Sequence, residues 1–449
     1  MNSESEKLAK LTVKTDSLRK ALDKCQTVIS NKPNPPILKY VKVSYDAQQK
    51  FAVLEAAGTG AEAGIKIAMP VVYADFMSDS VEFLIDPVTA VRILSNIKTD
   101  EIELQTLNNC TQVRLTGGKN KFTLNAMECE NFPKFLVPNQ NKFLTIKTSF
   151  LKKMVSTVQS AINPNEVRKA LTGILFEYYN GNVFTLGTNG KIGIFTRKEN
   201  KISDKNINVI IPSNAISPLM KCLPDGEDVD LSYLLADIED PTSASTLFFK
   251  SNAATLYVQA ISSNLIYPPM ESFFVGGVKT NREEKVIDSF SVDLEKLLEN
   301  IRLAAAVAHE RTREITVNYE HNPGEPFGKM SVSSRSDSGS GQTEPIDCTH
   351  IRGGSFEISV NCDCVEKIAS VLNSKQVVIN HNGIENSPFT IVGDGSGEIF
   401  VGTMTGRINK FVEEDSSVSE EVPQDSSDSG IMQEEEQTQD ISEAPEIEL

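Results

Sequence analysis

The chain repeats one pattern of hydrophobic and polar positions three times. Each copy is a short alternating strand, then a residue suited to capping a helix, then a helix with an apolar stripe at i, i+4, i+7 and i+11. The copies read LTVKTDSLRKAL at residues 11–22, LTIKTSFLKKMV at 144–155 and, more faintly, FSVDLEKLLENI at 290–301. The predicted capping residues are Thr15, Thr148 and Asp293. Repetition on the scale of a domain predicts a triplicated architecture.

A second strand–helix unit also occurs three times. Its copies read FLIDPVTAVRIL, VIIPSNAISPLM and FEISVNCDCVEKIASVL, and they begin at Phe83, Val209 and Phe356. Pro87 and Pro212 stand where a helix starts, and Asn361 is the matching N-cap of the third copy. Pro218 lies inside the middle copy and predicts a helix that starts late or bends.

The segments between the helices alternate in polarity and predict antiparallel hairpins, one of them turning at Asn180-Gly181. The folded part has about 410 residues, which suits three ordinary domains. Polar links place the predicted domains at residues 1–138, 139–278 and 279–411, with a tail at 412–449. The predicted fold class is α+β, with two helices on antiparallel sheet in each repeat.

Charge is concentrated at the end of the chain. The formal net charge is −17, but residues 412–449 hold fourteen acidic residues and no Lys or Arg, so the remainder carries only −3. A segment so polar cannot bury enough apolar surface to fold, and we predict that it is disordered. The polar faces of the repeated helices are instead basic. A solvated face and a binding surface for a polyanion are equal alternatives for these residues.

Candidate catalytic and metal-binding residues are few. Cys348, His350, Cys362 and Cys364 are soft ligands, but their spacing is unusual for zinc, and they adjoin a Ser/Gly-rich insertion, SSRSDSGSGQ, which we expect to be flexible. The segment 187–191, GTNGK, predicts a tight turn, because it lacks the spacing of a phosphate-binding loop. No nucleophile–base pair stands out. We therefore predict a protein that is not an enzyme and holds no metal or cofactor.

The seven cysteines follow no disulfide framework and indicate a reducing compartment. The sequence shows no apolar run suited to a membrane span and no secretion signal. These features predict a cytoplasmic protein without a membrane partner.

Three segments carry a family resemblance. They are NEVRKALTGILFEYYNGNVFTLGTNGKIGIF at residues 165–195, KPNPPIL at Lys32–Leu38 and FTLNAMECENFP at Phe122–Pro133. In these the sequence resembles the bacterial DNA polymerase III beta subunit, the sliding clamp, and the likeness runs from about residue 10 to 411. It is clear in the middle domain and weaker in the third. The departures indicate a divergent member and leave open a chromosomal, plasmid or phage origin.

The resemblance implies a head-to-tail homodimer that forms a six-domain ring around duplex DNA, with the helices lining the hole. The basic side chains that it places toward the duplex are Lys20, Lys24, Lys32, Lys152, Lys153, Lys169, Lys296 and Arg302. Such contacts hold phosphates without reading bases. At the implied dimer seam, Phe122 and Leu124 of one chain face Ala306 and Val307 of the other. The latter pair is smaller than is usual in the family, which predicts a weaker seam.

The resemblance also implies a pocket between the second and third domains, where DNA polymerase and the clamp loader insert short peptide motifs. Its implied walls are Leu171, Thr188, Gly190, Lys191, Ile192, Pro268, Phe273, Pro388 and Met404. For Leu171 alone, an ordinary core position is an equal alternative. The tail begins where the family places the end of the chain, at this pocket. It either modulates access or acts as a passive solubiliser. Two functional alternatives remain: an enzyme with a cleft between the repeats, and a cytoplasmic scaffold that does not bind DNA.

Overall fold

A computed structural model describes most of the chain as far as Lys410. The described residues are 9–46, 48, 50–76, 80–139, 142–200, 206–235, 244–261, 265–268, 274, 286–393 and 399–410. The predicted tail, Phe273 of the implied pocket and the link around residue 279 lie outside them.

The first third of the chain contributes nine strands and two helices to the described structure. The strands are β1 (Ala9–Lys14), β2 (Val41–Asp46), β3 (Phe51–Ala57), β4 (Ala63–Pro70), β5 (Tyr73–Phe76), β6 (Ser80–Ile85), β7 (Glu101–Leu107), β8 (Gln112–Gly117) and β9 (Asn120–Asn125). The helices are α1 (Thr15–Gln26) and α2 (Pro87–Leu94).

The middle third repeats this arrangement. Its strands are β10 (Leu144–Lys147), β11 (Gly173–Tyr179), β12 (Asn182–Thr188), β13 (Ile192–Glu199), β14 (Ile207–Pro212), β15 (Asp228–Leu235), β16 (Ala244–Lys250) and β17 (Ala254–Gln259). Its helices are α3 (Thr148–Gln159) and α4 (Ile216–Cys222).

The last third repeats it again. Its strands are β18 (Asp288–Asp293), β19 (Glu314–His321), β20 (Phe327–Ser336), β21 (Gly339–Gln342), β22 (Ile346–Arg352), β23 (Phe356–Asn361), β24 (Gln376–His381), β25 (Pro388–Gly393) and β26 (Ile399–Lys410). Its helices are α5 (Leu294–Ala305) and α6 (Cys362–Ala369).

Two of the three antiparallel sheets run across the boundaries between the repeats. The first sheet has the order β5-β1-β7-β8-β9. The second, β10-β15-β16-β17-β4-β3-β2-β6, joins the first and middle repeats where β17 pairs with β4. The third, β14-β11-β12-β13-β26-β23-β19-β20-β22-β18-β24-β25, joins the middle and last repeats where β13 pairs with β26. The repeats are therefore connected by continuous backbone hydrogen bonding.

The apolar stripes of the repeated helices form the core beneath these sheets, as the periodicity predicts. Leu18 and Leu22 of α1, Leu151 and Val155 of α3, and Leu297 of α5 have no exposed surface. In each repeat the helices contact the inward side chains of the strands, such as α1 against β3 and β4 and α3 against β12 and β13. The opposite helix faces carry polar side chains, such as the exposed Lys20 of α1 and Lys153 of α3.

The predicted helix starts are partly wrong. Asp293 caps α5, because its carboxylate accepts hydrogen bonds from the backbone N–H groups of Glu295 and Lys296, both at 3.1 Å. Thr15 and Thr148 are not caps but the first residues of their helices. Their hydroxyls donate to the carbonyls of Thr99 and Glu227, at 2.7 and 3.0 Å, so they fasten each helix to the neighbouring strand connection instead. From sequence alone, a Thr that caps a helix cannot be distinguished from a Thr that fastens the helix to a distant segment.

The second helices begin largely as predicted. Pro87 is the first residue of α2, and Asn361 caps α6 by accepting the N–H of Cys364 at 2.9 Å. The middle helix starts late: a 3-10 turn at Ser213–Ala215 precedes α4, which places Pro218 in the first turn, where its missing N–H costs nothing.

The Ser/Gly-rich insertion is not an irregular loop, which corrects the expectation of a flexible segment. Its residues form the end of β20 and the strand β21, paired from Ser333 with Gln342 to Ser336 with Gly339. Small side chains suit such a hairpin as well as they suit a flexible loop, so composition alone misled. The hairpin predicted at Asn180-Gly181 is confirmed, and both residues have positive φ. No helix in the described part of the chain is long and apolar enough to cross a membrane.

Candidate nucleic-acid interface and partner surfaces

The helices of the first and middle repeats contact one another, and the two helices of the last repeat pack together. Helix α1 packs beside α2 and also contacts α4 of the next repeat, while α4 contacts α3 and α5 packs beside α6. Lys24 of α1 donates a hydrogen bond from Nζ to the carbonyl of Cys222, the last residue of α4, at 3.2 Å. Although Lys24 was predicted to face the duplex, it is half-buried and caps a helix end across the junction between two repeats.

Four of the other predicted duplex contacts are exposed and form no ion pair with any residue that the structure describes. We call them the unpaired lysines. Lys153 and Lys296 lie on the polar faces of α3 and α5, Lys32 follows α1, and Lys169 begins a 3-10 turn in the middle repeat. All three repeats therefore present at least one exposed cation that has no ion-pair partner among the described residues. Such side chains can neutralise phosphate.

The remaining three predicted contacts are held by carboxylates of the same helical surface. Their partners, which we call the resident carboxylates, are Asp16, Asp225 and Glu366. The pairs are Lys20 with Asp16 at 2.6 Å, Lys152 with Asp225 at 2.6 Å, and Arg302 with Glu366 at 2.7 Å. The hydrogen bond from Lys20, followed by that from Arg19, lowers the pKa of the Asp16 carboxyl. The hydrogen bond from Lys152 likewise lowers the pKa of Asp225.

An edge strand carries Phe122 and Leu124, the first pair of residues predicted for the dimer seam. Within the described residues, β9 pairs only with β8, and Phe122 on it is 41% exposed. Leu124 is partly buried against the core, so it is less available than Phe122. An exposed apolar residue on an open edge strand is an aggregation hazard unless another chain covers it.

The facing residues lie at the end of α5. Ala306 is exposed and Val307 is half-buried. Val307 is close to β21, because a Cβ added at Gly341 would lie 3.5 Å from its Cγ2. Strand β21 pairs only with β20 in the described structure, so it too has an open edge. The pair Ala306 and Val307 thus adjoins an edge strand that the sequence did not predict.

Four of the described residues implied for the peptide pocket are buried. Thr188 and Ile192 are each 1% exposed, and Pro388 is also buried, with its backbone paired to that of Met404. Leu171 is likewise 1% exposed, and it belongs to a cluster with Phe195, Tyr267 and Phe274 among others. In this conformation Leu171 is an ordinary core residue and not an accessible pocket wall.

The accessible part of the implied pocket is the turn at 188–191. Gly190 and Lys191 are exposed, and Pro268 is half-buried. The turn predicted here is confirmed: the Thr188 hydroxyl accepts the N–H of Gly190 at 3.0 Å, and Gly190 has φ +86°. A Cβ at Gly190 would collide with the guanidinium of Arg168, so that side chain lies directly over the turn.

A buried Ser–His–Asp group in the last repeat resembles a catalytic triad but has the wrong hydrogen bonding. Ser387 Oγ lies 3.2 Å from His381 Nε2, and Asp288 Oδ2 lies 3.8 Å from Nδ1. Nδ1 accepts the N–H of Gly383 at 2.9 Å, so Nε2 carries the proton and cannot accept one from the serine. All three side chains are buried. The group is structural, and sequence spacing gave no sign of it.

The four soft ligands weighed for zinc do not converge. Cys362 and Cys364 begin helix α6, so they are not alternate residues of a strand, whereas Cys348 and His350 lie on β22. His350 Nδ1 is 3.0 Å from the Tyr319 hydroxyl, and burial raises the pKa of the Cys348 thiol to about 12. A protonated thiol is a poor ligand. In the part of the chain that the structure describes, no group of three or more His, Cys, Asp or Glu residues could hold a metal ion.

Comparisons with known proteins agree with this architecture. A family model described as the DNA polymerase III beta subunit, N-terminal domain, matches residues 9–136, and the model of its central domain matches residues 145–255. The beta sliding clamp of Staphylococcus aureus is 22% identical over 396 residues, which are 87% of this chain and 97% of that protein. The beta sliding clamp of Bacillus subtilis is 23% identical over 390 residues, 85% of this chain and 95% of that protein.

Solved structures show the same fold. The DNA polymerase sliding clamp of Bacillus subtilis superimposes with a TM-score of 0.73 at 18% identity, covering 89% of this chain and 99% of that one. The DnaN sliding clamp of Pseudomonas aeruginosa bound to griselimycin gives 0.72 at 17% identity, with the same coverage.

The fold is that of a sliding clamp, and the two matched models together span more than half of the sequence. The chain belongs to the bacterial DNA polymerase III beta subunit family. It is a processivity factor of DNA replication and not an enzyme, which confirms the functional prediction and disfavours both alternatives.

Proposed function

We propose that this protein works as a head-to-tail dimeric ring in the cytoplasm, with the helical surface of each protomer lining a hole that holds duplex DNA. The observation that carries the proposal is the presence of exposed, unpaired lysines on or near the helices in all three repeats. A polymerase bound to such a ring sees its template at high effective concentration. Release of the ring when circular DNA is cut tests the proposal.

Binding to the duplex in this proposal needs only phosphate contacts. Lys32, Lys153, Lys169 and Lys296 attract the backbone from several points around the hole, and none needs a base edge. The contacts can therefore re-form at every position along the duplex as the ring moves. The near-neutral charge of the body, combined with this basic surface, leaves the rest of its exterior acidic, which disfavours DNA on the outer face.

We place the dimer seam between β9 of one protomer and the region of β21 and Val307 of its partner. Both strands offer an open edge, and Phe122 supplies an apolar side chain. Pairing two edge strands would satisfy their backbone groups and cover this side chain. The small side chains of Ala306 and Gly341 limit the apolar contact, which supports a seam of modest strength.

We place the partner-peptide site at the exposed turn 188–191 and the cluster beneath it. Tyr267 and Phe274 pack in the same cluster as Leu171, so a peptide that reaches Leu171 must displace part of this cover. Tyr267 is held by a 3.3 Å hydrogen bond from its hydroxyl to the carbonyl of Leu186. A single bond of this kind contributes about 1 kcal/mol, which a bound peptide can replace.

Met404→Ala should weaken binding of a consensus clamp-binding peptide about tenfold, as expected for loss of one apolar anchor. The backbone of Met404 pairs with that of Pro388, which the family resemblance also assigns to the pocket wall. Fluorescence titration of a labelled peptide measures the change. Met220→Ala on α4 is the matched control and should bind as wild type does. Equal affinities for wild type and Met404→Ala would place the site elsewhere.

The acidic tail should compete with DNA for the basic helical surface. Its fourteen carboxylates are the largest block of negative charge in the chain. Deleting residues 413–449 should therefore strengthen duplex binding at low salt and change little once the screening length falls to about 8 Å or less. A variant with a full-length tail, in which Asn and Gln replace the Asp and Glu residues, separates the effect of tail charge from that of tail length. Identical binding by all three proteins at every salt concentration would show that the tail is only a solubiliser.

A further inference from the structure

The basic helical surface is partly neutralised by its own protein. Each repeat places one resident carboxylate within 2.7 Å of a cation that would otherwise face the duplex. The three pairs come from different constructions: one within α1, one between α3 and the turn after α4, and one between α5 and α6. Because an ion pair of this kind occurs in all three repeats and is built differently in each, it is not a chance feature of one helix.

We propose that the resident carboxylates Asp16, Asp225 and Glu366 stand in for DNA phosphates and compete with them for Lys20, Lys152 and Arg302. They would thereby weaken the grip of the ring on the duplex and ease its movement. The inference rests on the proposed function, because it assumes that these helices face DNA. It adds a mechanism that regulates DNA binding by that surface, and the number of basic residues alone does not predict this mechanism.

The geometry of the middle pair supports competition. Lys152 has only 14% of its side chain exposed, and its Nζ is turned onto the Asp225 carboxylate, which is itself 83% exposed. Lys24 adds a second positive charge close enough to act on Asp225. A carboxylate between two lysines at a junction of three helices occupies the kind of position that a phosphate oxygen would take.

These ion pairs are weak enough for a cation to exchange its carboxylate partner for a DNA phosphate. The carboxylates are solvent-exposed, and exposed ion pairs contribute little to stability because water and salt screen them. A cation can therefore leave its carboxylate for a phosphate and return as the ring advances. While the carboxylate keeps its cation, that cation forms no phosphate contact and releases no counterion from the DNA.

Amide substitution tests the competition more cleanly than pH does. The hydrogen bonds from Lys20 and Lys152 lower the pKa values of Asp16 and Asp225, so both carboxyls stay charged well below neutral pH. Acid strong enough to protonate them would also protonate other carboxyls throughout the protein. Asp→Asn and Glu→Gln remove the charge and keep nearly the same shape.

The experiment measures duplex affinity over a salt series for wild type and for the triple variant Asp16→Asn, Asp225→Asn, Glu366→Gln. We expect each substitution to tighten binding about two- to fivefold at low salt. The slope of log affinity against log salt should steepen by about 0.9 for each freed cation. Glu82→Gln is the matched control, because Glu82 pairs with Lys42 at 3.1 Å on the paired strands β6 and β2, outside the helices.

Each outcome separates the inference from the function on which it rests. If wild type is retained on circular DNA and lost from linear DNA while the triple variant binds as wild type does, the carboxylates do not compete and the inference is overturned. If wild type shows no such topological retention, the proposed function fails instead. A gain in log affinity by Glu82→Gln equal to one third of that of the triple variant would reduce the effect to net charge and would also overturn the inference.

Discussion

Phe122→Asp should convert the protein from dimers to monomers at low micromolar concentration. The substitution places a charge on the open edge of β9, at the one side chain of the seam that is both large and exposed. A central apolar anchor of this kind contributes about 2 kcal/mol or more, so each seam should weaken by roughly 30-fold or more. A head-to-tail ring has two such seams, and opening either one opens the ring. Analytical ultracentrifugation over a dilution series measures the change.

Phe327→Asp is the matched control for the seam. Phe327 is 64% exposed on β20, but it lies at the end of that strand away from its pairing with β21. The same change of size and charge there should leave the dimer intact. If Phe122→Asp stays dimeric, or if both variants dissociate equally, the seam is not at β9.

Replacing Lys32, Lys153 and Lys296 together by Ala should give the second large effect. These lysines have no carboxylate partner in the described structure, so their full charge is available to phosphate. A ring of two protomers loses six phosphate contacts, and the slope of log affinity against log salt should become shallower by about five. Duplex affinity should fall most at low salt. Anisotropy titration of a short labelled duplex from about 50 to 200 mM salt measures it.

Lys66, Lys250 and Lys329 serve as the control for net charge. They are exposed lysines in the strands β4, β16 and β20, so the triple Ala variant removes the same charge outside the helices. Its salt slope should match that of wild type, and its thermal stability should change little because exposed pairs contribute weakly. Equal loss of affinity in both triple variants would refute a specific duplex-facing surface.

The periodic elements of this fold could be predicted from sequence because their signals are local. The apolar stripe of α3, the hairpin at Asn180-Gly181 and the N-cap Asp293 each depend on residues a few positions apart, and the structure confirms all three. Thr15 and Thr148 misled for the same reason. Their hydroxyl partners, the carbonyls of Thr99 and Glu227, are 84 and 79 residues away, which no local pattern reports.

The long-range ion pairs of the helical surface could not be predicted from the sequence. A basic helix face and the i, i+4 pair of Asp16 with Lys20 are visible from spacing, but whether Lys152 and Arg302 are available depends on carboxylates brought from elsewhere. Asp225 reaches Lys152 across 73 residues, and Glu366 reaches Arg302 across 64. Strand β21 was missed because small polar residues suit a loop and a hairpin equally. The long-range ion pairs and the pairing of β21 are both consequences of tertiary packing.

Retention on DNA of defined topology tests the central claim most directly. Protomers dissociated by dilution are concentrated in the presence of nicked circular duplex, and bound protein is isolated by gel filtration at a salt concentration that removes simple electrostatic binding. A single restriction cut is then made. The account predicts that the protein stays on the circle, leaves after the cut, and stays after the cut when both ends are blocked by bulky proteins. Protein that is absent from the circle, or that remains equally on the cut DNA with open ends, would contradict the claim that this chain encircles duplex DNA.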